Sequence, residues 1–218
     1  MDGNVAPADD RNGLVGQIVA DRYQVISRIG GGGTGIVFQG SCLKSGAMVA
    51  LKTLRPSLAG QADLATRLLR ELEVSRRVVH AGLVRFMGAG HLADDSPFLV
   101  MPLLGGESLA QMLLREGVLS SAAVLMLMSR VSSILHSSHA AGYVHRDVKP
   151  EHIHLSRTAQ GGLRVHLLDF GVCWSAHADE AEKRREAGRV FGTPHYVSPE
   201  QASGEVHIDG RADLLVWV

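Results

Sequence analysis

Tyr143-Val144-His145-Arg146-Asp147-Val148-Lys149-Pro150 is the most specific stretch of this 218-residue chain. Two further stretches follow it: Asp169-Phe170-Gly171, and Gly192-Thr193-Pro194-His195-Tyr196-Val197-Ser198-Pro199-Glu200. Two precede it: Gly30-Gly31-Gly32-Gly33-Thr34-Gly35-Ile36-Val37, and Val49-Ala50-Leu51-Lys52. Glycines let backbone N–H groups approach phosphate oxygens without interference from Cβ. Alone, such a loop reads equally well as a flexible turn. Its surroundings discriminate. A dinucleotide-binding loop opens a helix, whereas an apolar strand follows here. A Walker loop needs G-K-[ST], which is absent.

Around these stretches the chain reads as α+β. Residues 1 to about 16 look like a tail. Tyr23, Val25 and Ile29, then Ile36-Val37-Phe38, read as two strands around the glycine cluster, and Met48-Val49-Ala50-Leu51 as a third. Over 61–79, Leu64, Leu68, Leu72 and Val79 form one helical stripe. Strand character returns at 97–104, and helices are expected over 108–115 and 120–139. Short apolar pieces at 153–155 and 164–168 flank a Gln160-Gly161-Gly162 turn. The expected division is a mobile tail over 1–20 and one domain over 21–218. Its strand-rich N-lobe, with one main helix, covers about 21–104, and its helical C-lobe about 105–218.

The five motifs, in order and spacing, resemble the eukaryotic-type serine/threonine protein kinases, in particular their bacterial branch, from about residue 22 to about 214. The resemblance implies a two-lobed kinase fold, ATP and Mg²⁺ as cofactors, and a protein hydroxyl as acceptor. It makes Asp147 the base for that hydroxyl. Lys149 becomes the cation on the transferred phosphoryl group, and Thr193 the residue that positions both and marks serine/threonine specificity. Gly30, Gly32, Gly35 and Val37 would cover the nucleotide. Lys52 would hold its α/β-phosphates and Ala50 would flank it. Glu71 would hold Lys52, because it sits near the apolar stripe where a carboxylate is less expected, whereas Glu73 pairs naturally with Arg77. Met101 would be the gatekeeper. The Pro102 C=O and the Leu104 N–H would meet adenine. Asp169 would hold the metal, and Asp213 would anchor the backbone of His145 and Arg146.

Three departures from the family pattern stand out. His152 occupies the position of an asparagine that gives oxygen to a second Mg²⁺, and imidazole suits later metals such as Mn²⁺ better. His154 replaces an aliphatic floor under the adenine. Residues two apart in a strand share a face, so His152 and His154 are both expected to point at the nucleotide pocket. Altered metal use, lost catalysis and tolerated drift all remain open. Between Asp169 and Gly192 the only hydroxyl side chain is Ser175. The charged run 178–186 reads as a helix with a solvated face. Finally, Leu215-Val216-Trp217-Val218 no longer resembles the family, so a C-lobe truncated in its central helix, loosely packed, and a partner covering its exposed apolar surface are expected.

Composition sets the outer bounds. Lys+Arg and Asp+Glu are both 22, so the formal charge is zero, which speaks against a general nucleic-acid or membrane-surface binder. Cys42 and Cys173 read as free thiols in a reducing compartment. No apolar run reaches the ~18–20 residues of a membrane span, and a cytoplasmic protein is the default. The alternatives to an active kinase are a pseudokinase, a kinase-shaped interaction module and a truncated gene remnant.

Overall fold

The computed structural model describes residues 13–158, 160–186, 188–205 and 208–214. The expectations for residues 1–12 and for the ending 215–218 fall outside these. The chain divides into two compact units, one of Met1–Leu69 with Phe86–Leu103 and one of Arg70–Arg85 with Leu104–Val218.

The first unit holds β1 (Ile18–Val19), β2 (Tyr23–Gly31), β3 (Gly35–Cys42), β4 (Met48–Leu54), the first half of α1 (Ala62–Arg77), β5 (Gly88–His91) and β6 (Pro97–Pro102). Its strands form one antiparallel sheet in the order β1-β2-β3-β4-β6-β5. Alternation sends Ile36, Phe38, Val49, Leu51, Phe98 and Val100 into one core. The sheet begins inside the stretch 1–20 expected as a tail, because Val19 pairs with Tyr23 and joins that core. Ile29 leaves the pattern of Tyr23 and Val25 and is exposed. Register shifts between Val25 and Ser27 and between Arg28 and Gly30 explain this, since an extra residue inverts the phase of a period-two pattern. In α1 the stripe holds for the buried Leu68 and Leu72 but fails at Val79, which is 83% exposed. The helix ends at Arg77, and Val78 is buried instead.

The second unit carries β7 (Glu107–Ser108), α2 (Leu109–Glu116), α3 (Ser121–Ala140), β8 (Tyr143–Val144), β9 (Ile153–Arg157), β10 (Leu163–Leu167), β11 (Trp174–Ser175), α4 (Glu180–Glu186) and α5 (Pro199–Ala202). Ser108 and Gln111 form a capping box that starts α2, and Ser120 caps α3 by accepting the Ala123 N–H. β10, β9 and β7 form a small sheet, and β8 pairs with β11. Gly106 has φ +101° and a Cβ there would lie 2.0 Å from the Leu155 carbonyl oxygen, so only glycine lets β7 reach β9. Leu127, Val131, Ile134 and Leu135 of α3 share a core with Ile153, Leu155, Val165 and Leu167. α3 and the small sheet bury this core between them. Of the apolar surface expected to lie open on α3, Val124, Leu125 and Met126 are exposed, whereas Val131 and Ile134 are buried.

His166 on β10 makes one pH dependence. Its Nε2 lies 3.2 Å from the Ser156 hydroxyl, and its Nδ1 has no partner. Burial, then His154 and Arg164, push this ring down from 6.5 to about 4. The folded ring resists a proton that the unfolded ring accepts. Its contribution to stability is therefore fully present above about pH 6.5 and falls as the pH drops toward about 4. Urea midpoints of the parent chain should decline across that window, and His166→Leu should flatten part of the decline.

Candidate active site

The glycine stretch ends β2 and begins β3, closed by a Gly32 N–H to Gly35 carbonyl hydrogen bond of 3.0 Å. A Cβ at Gly35 would come within 2.9 Å of the Thr53 carbonyl oxygen, so packing alone demands glycine there. At Gly30, Gly32 and Gly33 a Cβ would meet nothing within 4 Å. Val37 is the register partner of Lys52 and Ala50 that of Met101. Directly opposed residues share a face, so Val37, Lys52, Ala50 and Met101 line one side of the sheet, away from the core of Phe38, Leu51 and Val100. Pro102 is exposed at the end of β6, and Leu104, half-buried, begins the second unit. Glu71 is buried on α1, whereas Glu73 pairs with Arg77 at 3.2 Å and accepts the Tyr143 hydroxyl at 2.8 Å.

The second unit gathers Asp147, Lys149 and Thr193. Lys149 Nζ donates to Thr193 Oγ1 at 2.6 Å, and Thr193 Oγ1 donates to Asp147 Oδ1 at 2.8 Å. Lys149 Nζ also lies 3.0 Å from Asp147 Oδ2. Lys149 and Thr193, 44 residues apart in sequence, thus hold both oxygens of one carboxylate. Beneath them, His145 Nδ1 accepts the Asp147 N–H at 3.2 Å, so its Nε2 carries the proton and donates to the Leu168 carbonyl at 3.0 Å. The His145 ring meets Phe170 edge-on, with centroids 4.4 Å apart. Asp213, fully buried, accepts the His145 and Arg146 N–H groups at 2.8 and 2.7 Å. Arg146 and Asp169 adopt φ of +65° and +68°. That region costs a non-glycine residue about 1–3 kcal/mol and persists only where the surroundings hold it.

His152 closes a short 3-10 turn, Pro150–His152, and β9 starts one residue later. His152 and His154 therefore do not share a strand face, and the two rings take different partners. His154 Nε2 donates to the Gly105 carbonyl at 3.0 Å. His152 Nδ1 donates to the Asp147 carbonyl at 2.8 Å, which turns Nε2 toward Asp169, 3.5 Å from its Oδ2. Burial holds the ring below the usual imidazole value, against the pull of the Asp169 carboxylate. A neutral Nε2 lone pair beside a carboxylate oxygen is a pair of donors suited to one cation. Among the described residues no group of three or more His, Cys, Asp and Glu could hold a metal ion.

A family model described as the protein kinase domain matches residues 23–217. The chain belongs to the protein kinase domain family. It is 36% identical over 206 residues to the serine/threonine-protein kinase pkn3 of Myxococcus xanthus, covering 94% of this chain and 38% of that protein. It is 34% identical over 200 residues to the probable serine/threonine-protein kinase PknB of Corynebacterium glutamicum, covering 90% of this chain and 30% of that one. The crystal structure of the PknI kinase domain of Mycobacterium tuberculosis superposes with a TM-score of 0.71 at 26% identity, over 93% of this chain and 72% of that one. The α+β kinase fold expected from the motifs is therefore the fold of this chain. The chain spans 38% or less of the length of these curated relatives.

Within this kinase domain, two residues beyond the motifs touch the loop that carries Asp147. Gln201, 2% exposed, donates to the Arg146 and Phe191 carbonyls at 2.8 and 3.0 Å. A sequence signal for it existed, the Ser-x-x-Gln capping box of Ser198 and Gln201 that starts α5. Glu186 of α4 lies 3.0 Å from Arg146 Nη2, so the run 178–186 is more than a solvated face. Nothing in its local pattern marked that glutamate. Cys42 and Cys173 are free and buried. No helix among the described residues is long and apolar enough to cross a membrane.

Proposed function

We propose that this chain is an ATP-dependent serine/threonine protein kinase that transfers the γ-phosphate to protein hydroxyls. The observation that carries the reading is the relay from Lys149 through Thr193 to Asp147, with contacts of 2.6 and 2.8 Å. Phosphoryl transfer asks mainly for positioning and charge neutralisation, and this relay supplies both. Asp147 accepts the proton of the incoming hydroxyl, its carboxylate held in one orientation by Thr193. Lys149 offsets charge on the phosphoryl oxygens. Asp169 and His152 present an oxygen and a nitrogen donor to a divalent cation. Gly30 and Gly32 have neither packing nor left-handed backbone to explain them, which suits close approach of backbone N–H groups to phosphates. Gly35 keeps that loop tight against β4. Lys52 contributes a cation to the α/β-phosphates, Met101, Pro102 and Leu104 meet the adenine, and Val37, Ala50 and His154 flank it. Glu71 is assigned to the same nucleotide-binding set. Bound ATP with its metal supplies the phosphoryl group and much of the charge neutralisation. Incubation with γ-labelled ATP, Mg²⁺ or Mn²⁺ and a generic basic protein should give label transfer. No transfer above an Asp147→Ala control rejects the proposal.

One observation supports a second reading, a kinase-shaped binding module with little turnover. The asparagine expected five residues after Asp147 is His152. The metal decides between them. With His152 as ligand, Mn²⁺ should support transfer better than Mg²⁺, because imidazole in that site penalises the harder ion. Electron paramagnetic resonance titration should show Mn²⁺ bound more tightly by the parent chain than by His152→Asn in the presence of a non-hydrolysable ATP analogue. Equal Mn²⁺ affinity and equal rates with both metals would remove His152 from the metal site.

A further inference from the structure

The charged run that forms α4 closes on two buried arginines. Glu186 lies 3.0 Å from Arg70 Nη1 through one oxygen and 3.0 Å from Arg146 Nη2 through the other. Glu182 pairs with Arg70 as well. The Arg70 and Arg146 side chains are only 6% and 3% exposed, and guanidinium groups so removed from water require anions beside them. Their other N–H groups reach the backbone just past Asp169-Phe170-Gly171. Arg70 donates to the Cys173 carbonyl at 2.8 Å, and Arg146 to the Val172 carbonyl at 2.6 Å. Arg146 also lies over the Phe191 ring, 4.6 Å from its centroid, two residues before Thr193. One carboxylate thus ties together α1, the loop that carries Asp147, and both ends of the 172–191 segment.

A segment of this kind is commonly ordered by a phosphate placed opposite an arginine. This one offers no such group in reach. Its sole hydroxyl side chain, Ser175, is 4% exposed. The Ser175 Oγ accepts the His177 N–H at 3.1 Å, and its backbone is paired with Tyr143 in β11.

The geometry points to Glu186 as a positioning residue for the catalytic loop, a permanent counter-charge to Arg146 and Arg70 that orders the 172–191 segment without phosphorylation of it. The inference rests on the kinase reading for its effect on rate, and its structural arm stands independently of that reading. Glu186→Gln keeps shape and removes charge. It should lower kcat about tenfold or more, since an arginine loses a buried partner, with KM for ATP within about twofold. Hydrogen exchange at the amides of 172–191 should quicken. Glu186→Asp should recover part of both. Glu180→Gln, on the exposed side of α4, should match the parent chain. Phosphatase treatment of the parent chain should leave its activity unchanged. Unaltered exchange and rate in Glu186→Gln, or loss of parent activity on phosphatase treatment, would overturn the inference. Should the Gln variant fail to fold, Glu186→Asp decides. At least half of the parent protection across 172–191 supports the contact, and less overturns it. Should the parent chain transfer no phosphate at all, the kinase reading falls and the exchange comparison alone judges Glu186.

Discussion

Asp147→Asn should reduce phosphoryl transfer by about 10²–10⁴-fold, the range for loss of a general base, while the affinity for ATP stays within about twofold. The substitution is nearly isosteric. Thr193 Oγ1 can still donate to the amide oxygen, as it now donates to Oδ1 at 2.8 Å. What disappears is the negative charge proposed to receive the hydroxyl proton, and with it the ion pair with Lys149 at 3.0 Å. Single-turnover rates with saturating labelled ATP measure the first effect, and calorimetric titration with a non-hydrolysable analogue measures the second. A variant that transfers within about threefold of the parent rate, far short of that range, would show that Asp147 is not the base. A variant that also loses nucleotide affinity would show that it acts on binding.

Asp213→Ala should destabilise the second unit by about 3 kcal/mol or more. Its carboxylate accepts three hydrogen bonds, from the His145 and Arg146 N–H groups and from His139 Nε2 at 2.7 Å. Bonds to a charged acceptor contribute about 1.5–3 kcal/mol each, and two buried N–H groups would be left without partners. Arg146 also holds φ +65°, a conformation that survives only while neighbours enforce it. Asp213→Asn keeps one oxygen and should cost about half as much. Urea denaturation followed by circular dichroism gives both values. A change under about 1 kcal/mol for the alanine variant, less than one typical charged hydrogen bond, would mean that the loop is held by other contacts, such as Gln201 to the Arg146 carbonyl at 2.8 Å.

The share of this architecture legible in the sequence follows from how local its causes are. The helices α1, α2 and α3 lie where apolar spacing and serine caps put them, because periodicity and capping act within a few residues. Glu71 and Glu73 also separate as their spacing implies, one buried and the other paired with Arg77 four residues on. Reading fails where one residue changes a phase. Ile29 turns outward after the irregular register of β2, and Val79 falls beyond the last turn of α1. His152 differs from His154 for the same reason, since a 3-10 turn rather than a strand precedes Ile153.

By itself the sequence determined the family, the α+β class and the identities of Asp147, Lys149, Asp169 and Thr193 as the site's candidates, because each is written in a short motif with a fixed spacing. Only the tertiary structure decided which charges meet. Glu186 and Arg70 stand 116 residues apart, and Asp213 and Arg146 stand 67 apart. No local rule links such pairs. Burial selects them, since a guanidinium or an N–H group taken out of water must find an acceptor wherever the folded chain brings one.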